Sequence, residues 1–169
     1  MTPYLTVAGL VLVVVVQTTV MPAASLGSVK PFLPLLVVVS WGLLRGPLEA
    51  AWWALALGLA LDIVSPSPML FYTLPLLAVL VVVRLGRGSM FPGNVVMPWL
   101  VAALATVAFA LLQRALLPLL GGAVRFGPEA LGREILPEVA LNLLWLPLAF
   151  FPLRALARHY GVERIEWER

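Results

Sequence analysis

The stretch A-L-G-L-A-L-D-I-V-S-P-S-P, Ala56 to Pro68, decides the fold. An apolar run that begins near Leu48 ends here. It carries one acid, Asp62, near its last turn and then meets Ser65-Pro66-Ser67-Pro68, which stops a helix. A run of this length and composition suits a helix crossing a bilayer, where about 20 mostly apolar residues are needed. A carboxylate at that depth is costly and calls for a partner, water or a role.

Working outward, the rest of the chain repeats the pattern. Of the 169 residues 62% are apolar and 11% charged. Soluble domains run near 45–50% and 25%. Six apolar runs are predicted as spans, at 4–22, 31–45, 48–64, 68–86, 95–120 and 135–157, with a charged tail over 158–169. Gly, Pro and Arg separate them, as at Arg45-Gly46-Pro47, Arg87-Gly88-Ser89, Gly121-Gly122 and Gly127-Pro128. The second run is short. The tight turn at Gly46 makes runs two and three antiparallel neighbours. The expected fold is an all-α integral membrane protein, one transmembrane domain built as a compact bundle of six helices.

The N-terminal run lacks the basic segment of a signal peptide, because no Lys or Arg precedes Lys30. It is read as an uncleaved first span. With both termini in the cytoplasm, seven Arg fall on the inner side (Arg45, Arg84, Arg87, Arg154, Arg158, Arg164, Arg169). Four basic residues fall outside: Lys30, Arg114, Arg125 and Arg133. The positive-inside rule favours that orientation. It puts Asp62 near the outer face. The tail Arg residues then meet anionic lipid heads. Between the last two spans, Glu129, Arg133 and Glu134 suit either a short surface helix or a capped extension of the sixth span.

Composition also bounds the chemistry. There is no cysteine, and His159 is the single histidine. Thiolate and histidine-rich metal sites are therefore not expected, nor is any cofactor. No phosphate loop, zinc-protease helix or nucleophile elbow occurs, so no enzyme is predicted. The net charge of +3 comes without the basic, aromatic-interleaved stripe of a nucleic-acid binder.

The polar residues inside the spans are then the informative ones. Gly58 shares the helix face of Asp62 one turn earlier, and a small residue there admits a close neighbour. Asp62 is an anchor for a neighbouring span or a partner, an interfacial group solvated by the outer loop, or part of a proton relay with Glu138. Lys30 is the nearest outer cation by topology and a possible partner for Asp62. Asn142 requires an interhelical hydrogen bond, as packing glue or as a ligand contact. Gln17 also asks for a partner. Glu49 starts the third span, where a helix N-terminus favours an acid, and Arg45 is placed to pair with it. Trp52, Trp53 and Trp99 are expected at the inner interface.

Lys30-Pro31, the span with Trp41, Arg45-Gly46-Pro47, the G-L-x-x-D spacing of Gly58, Leu59 and Asp62, then Asn142 with Leu144-Trp145-Leu146-Pro147 occur in an order that resembles the rod shape-determining protein MreD family. The resemblance spans essentially the whole chain. It implies a small, non-enzymatic protein of the bacterial inner membrane that binds MreC in the cell-wall elongation machinery. MreB, RodA and a class B penicillin-binding protein would be reached through that complex. It also implies a fold similar to the substrate-binding components of energy-coupling-factor transporters. On this resemblance Lys30, Pro31, Arg45, Gly58, Asp62 and Asn142 are the motif residues for partner binding or structure; a homodimer is a further option.

A second reading, with the same fold, is a substrate-binding component for uptake of a vitamin or other small molecule. Its pocket would rest on Gln17, Asp62, Glu138 and Asn142. Against it stands the bulky surface of the first span, Val11-Leu12-Val13-Val14-Val15-Val16, where such components carry small residues for docking.

Overall fold

The computed structural model describes residues 3–25, 29–88, 96–119 and 131–159. Among them the chain forms six helices and no strand: α1 Pro3–Thr19, α2 Leu33–Arg45, α3 Pro47–Val64, α4 Thr73–Gly88, α5 Val96–Leu119 and α6 Leu136–His159. A π-helical turn, Leu131–Ile135, leads directly into α6. Residues 131–135 thus continue into the last helix; Pro128, Glu129 and whatever starts this segment lie outside the described residues, as do Ser89, Gly121-Gly122, Gly127 and the tail from 160 onward.

The bundle is organised around its shortest helix. Every residue of α2 from Pro34 to Leu43 is buried. A helix that is apolar all round belongs in the middle, and α2 packs against α1, α3, α4, α5 and α6. The surrounding helices each turn one stripe toward it. On α3 the buried positions are Ala50, Trp53, Ala54, Leu57, Gly58, Leu61 and Asp62, a repeat of three and four residues. On α5 they are Pro98, Val101, Ala102, Ala105, Thr106, Phe109 and Ala110. Small residues dominate the α5 stripe, which lets the helix axes approach. The opposite faces are apolar and exposed, as at Val7, Val11, Leu12 and Val15 on α1 and Leu144, Leu148 and Phe151 on α6.

Three helices are long and apolar enough to cross a membrane: Pro47–Val64, Val96–Leu119 and Leu136–Arg158. The others are shorter than expected for physical reasons visible at their ends. α1 stops at Thr19 rather than residue 22, and turns follow from Val20 to Ala24. α2 begins at Leu33 rather than residue 31, because Pro31 and Phe32 are extended. Its 13 residues rise only about 20 Å, against about 30 Å of hydrocarbon. α4 begins at Thr73 rather than residue 68. The segment before it folds into turns, with Leu70 in the left-handed region at φ 70°.

Gly46 joins α2 to α3 at φ 121°, a conformation open to glycine and strained for other residues. The Arg87 guanidinium at the end of α4 lies against it, where a Cβ would otherwise project. Arg45 Nε pairs with Glu49 Oε2 at 3.1 Å, as the spacing predicts. Trp52 is exposed at this end, but Trp53 is buried against Trp41, with ring centroids 5.9 Å apart. The position of Trp53 on the α3 stripe turns it toward the other helices, where Gly9 of α1 leaves room for the indole.

Candidate functional site

Of the buried polar side chains among the described residues, Gln17, Asp62, Thr73, Thr106 and Asn142 lie at the end opposite Gly46, around the starts of α2 and α4; Ser40 lies within α2, its hydroxyl without a hydrogen-bond partner. A helix start leaves amide protons with no intrahelical acceptor. In water they are solvated; inside a bilayer they must be satisfied by the protein.

At α2 the acceptors come from two other helices. Gln17, near the end of α1, accepts the Leu33 amide proton on Oε1 at 2.8 Å and donates from Nε2 to the Pro31 carbonyl at 3.3 Å. Asn142, in the first half of α6, accepts the Phe32 amide proton on Oδ1 at 2.8 Å. Its Nδ2 donates to Thr106 Oγ1 of α5 at 3.2 Å, and Thr106 donates in turn to the Ala102 carbonyl at 2.8 Å. Asn142 and Thr106 are fully buried, and Gln17 is 5% exposed. Pro34 needs no amide partner, which suits a first-turn position. Two side-chain amides therefore replace the missing turn of α2.

At α4 the acceptor is Asp62. Its Oδ1 accepts from the Tyr72 amide at 2.8 Å. Its Oδ2 accepts from the Thr73 hydroxyl at 2.6 Å and from the Thr73 amide at 3.3 Å. A carboxylate at a helix start also meets the positive end of the helix dipole. Asp62 is 5% exposed. Gly58 makes this approach possible, since a Cβ there would lie 2.6 Å from the Thr73 Cα.

The two caps are joined by aromatic rings. Phe32 stacks on Tyr72 with centroids 5.8 Å apart and on Phe109 of α5 at 4.7 Å. Thus the residue held by Asn142 packs on the residue held by Asp62.

Of the six motif residues, Pro31, Gly58, Asp62 and Asn142 are brought together here. Arg45 is at the other end of the bundle. Lys30 is exposed beside the α2 start, but no ion pair joins it to Asp62 among the described residues. The pairing expected from topology is corrected: both carboxylate oxygens face the α4 backbone. Asp62 is thus bonded to the start of the adjoining helix, as an anchor for a neighbouring span would be. Glu138 sits half-buried in the first turn of α6, and the next acid, Glu134, pairs with Arg114 at 2.7 Å. Thr73, Thr106, Phe32 and Tyr72 were not legible as site residues. Thr106 had one signal, as the lone hydroxyl within the apolar length of α5.

This arrangement holds backbone at two helix starts. Among the described residues no group of three or more His, Cys, Asp or Glu is placed to hold a metal.

No curated protein and no solved structure matches this chain. A family model does, described as rod shape-determining protein MreD, over residues 1–160. The match takes in both capped helix starts and every described helix, and the chain belongs to the MreD family of rod shape-determining proteins.

Proposed function

We propose that this protein is a non-enzymatic scaffold of the bacterial cell-wall elongation machinery, and that it binds MreC within the inner membrane. MreB, RodA and a class B penicillin-binding protein would join through that complex. The observation that carries the reading is the use of the buried polar groups. Gln17, Asp62 and Asn142 are each bonded to the protein's own backbone at helix starts. A solute site instead needs polar groups converging on a ligand. Three of the four side chains on which a vitamin pocket would rest are already committed to structure. What the bundle offers a partner is its apolar outer surface, suited to another transmembrane helix, and exposed groups at its rims such as Lys30.

The same reading has all six helices span the bilayer, with both termini cytoplasmic. Short α2 is supported by caps buried in protein, the setting in which irregular backbone is tolerated at membrane depth. The Arg residues at the ends of α2 and α4 support the orientation.

Co-purification in mild detergent tests the proposal. Tagged protein should retain full-length MreC from the same genome and fail to retain MreC lacking its transmembrane segment. Equal loss of both forms across several detergents would overturn it.

A further inference from the structure

Two separate segments lead into the core outside the helices: residues 29–32 before α2, and residues 65–72 before α4, where the Phe71 amide donates to the Pro68 carbonyl at 3.3 Å. Each ends on a backbone amide gripped by a side chain from another helix. The Phe32 amide is held by Asn142, and the Tyr72 amide by Asp62. The two gripped residues are in ring contact with each other.

We propose that the Asn142 and Asp62 caps form one latch with two catches, which open together because Phe32 and Tyr72 couple them. Three features carry this. First, the path is short and continuous: a hydrogen bond from Phe32 to Asn142, a ring contact from Phe32 to Tyr72, and a hydrogen bond from Tyr72 to Asp62. Second, neither side can shift alone. Phe32 is wedged between Tyr72 and Phe109, and the start of α4 lies on Gly58 with no space for a Cβ. Packed interiors deform in discrete steps under such constraint. Third, Leu70 supplies a local drive to release. A bulky residue in the left-handed region persists only while its surroundings hold it. Met69 and Leu70 are exposed, and the other hydrogen bonds of the segment are local: the Ser65 amide to the Leu61 carbonyl, the Ser65 hydroxyl to that of Ser67, and the Leu74 amide to the Leu70 carbonyl. Releasing Asp62 lets the segment relax, withdraws Tyr72 from Phe32 and loosens the start of α2. Releasing Asn142 runs the same path in reverse. The device would set the shape of one whole face of the bundle from a single polar contact on either side.

Hydrogen exchange of the full chain in lipid nanodiscs, read by mass spectrometry, tests the coupling. Two segments are followed, 29–33 and 65–73, with 76–83 of α4 as the internal reference. The variants are Asn142→Leu and Asp62→Ala, with Asn142→Ala and the near-isosteric Asp62→Leu, which also remove the acceptors, in case the first pair fails to fold. The expected result is exchange faster by about tenfold in both segments for either variant, as the loss of a buried hydrogen bond implies, with 76–83 unchanged. In a Phe32→Leu background, each substitution should speed only its own segment. Acceleration confined to the substituted side in the native-ring background would overturn the latch. So would equal acceleration of 76–83, which would mean that the bundle loosens as a whole.

Discussion

Asn142 accepts the amide proton of Phe32 across 110 positions of sequence, and this one bond ties the last helix of the bundle to the start of its central helix. It places a side-chain amide where α2 lacks a preceding turn. The consequence is that Gln17, Asp62 and Asn142 each serve the protein's own backbone.

Replacing Asn142 by Leu removes the acceptor for Phe32 and the donor to Thr106 at once. An orphaned buried amide costs about 1–3 kcal/mol. Thermal unfolding in detergent should show a clear drop, at roughly 2–4 °C per kcal/mol for a chain of this size. Thr106→Val removes only the weaker partner of Asn142 and should cost less than half as much. Equal stability of Asn142→Leu and the parent chain would refute the cap.

Gly58 and Gly88 make a matched pair for testing close approach. A Cβ at Gly58 would strike the Thr73 backbone, whereas at Gly88 it meets nothing within 4 Å. Gly58→Ala should destabilise by about 1–3 kcal/mol, the usual cost of overpacking. Gly88→Ala should be near neutral. The comparison is made by midpoint of thermal unfolding, and similar losses at both sites would contradict the packing described.

Asp62 is bonded to the α4 start, and on the proposed reading it acts there rather than through direct contact with a partner. Asp62→Ala should cost about 0.5–2 kcal/mol from the lost cap. Asp62→Asn should retain much of it, since Asn is a comparable cap. MreC retention in pull-downs should follow the same order as stability. A variant that keeps full stability and loses MreC would show instead that the carboxylate meets the partner.

At the other end, the Arg45–Glu49 pair is partly exposed, with Glu49 at 47%. It should contribute only about 0.3–0.5 kcal/mol and weaken with salt, as a double-mutant cycle would report. Gly46→Ala should cost more, because its φ of 121° disfavours a Cβ and Arg87 occupies the space.

How much of this was legible follows from the type of signal. Apolar periodicity located all six helices, and the spacing of Gly58 and Asp62 put both on one face. The short second run was visible, but not the reason it is tolerated, because Gln17 and Asn142 are remote in sequence from Phe32. Periodicity carries no information on which remote amide a side chain reaches. Pairing Asp62 with Lys30 failed because charge suggested a cation, whereas the nearest donors were backbone and hydroxyl groups of Tyr72 and Thr73. The start of α4 was placed at residue 68 since Met69 to Tyr72 are apolar; composition does not reveal the left-handed turn at Leu70.

Native mass spectrometry of the protein released from nanodiscs, alone and after co-expression with full-length MreC, tests the central claim most directly. If the buried polar groups serve structure and the surface serves a partner, the protein alone appears at its own mass, and co-expression adds MreC in a fixed ratio. A stoichiometric small molecule bound to the protein alone, with no MreC adduct after co-expression, would contradict the scaffold and restore the uptake reading.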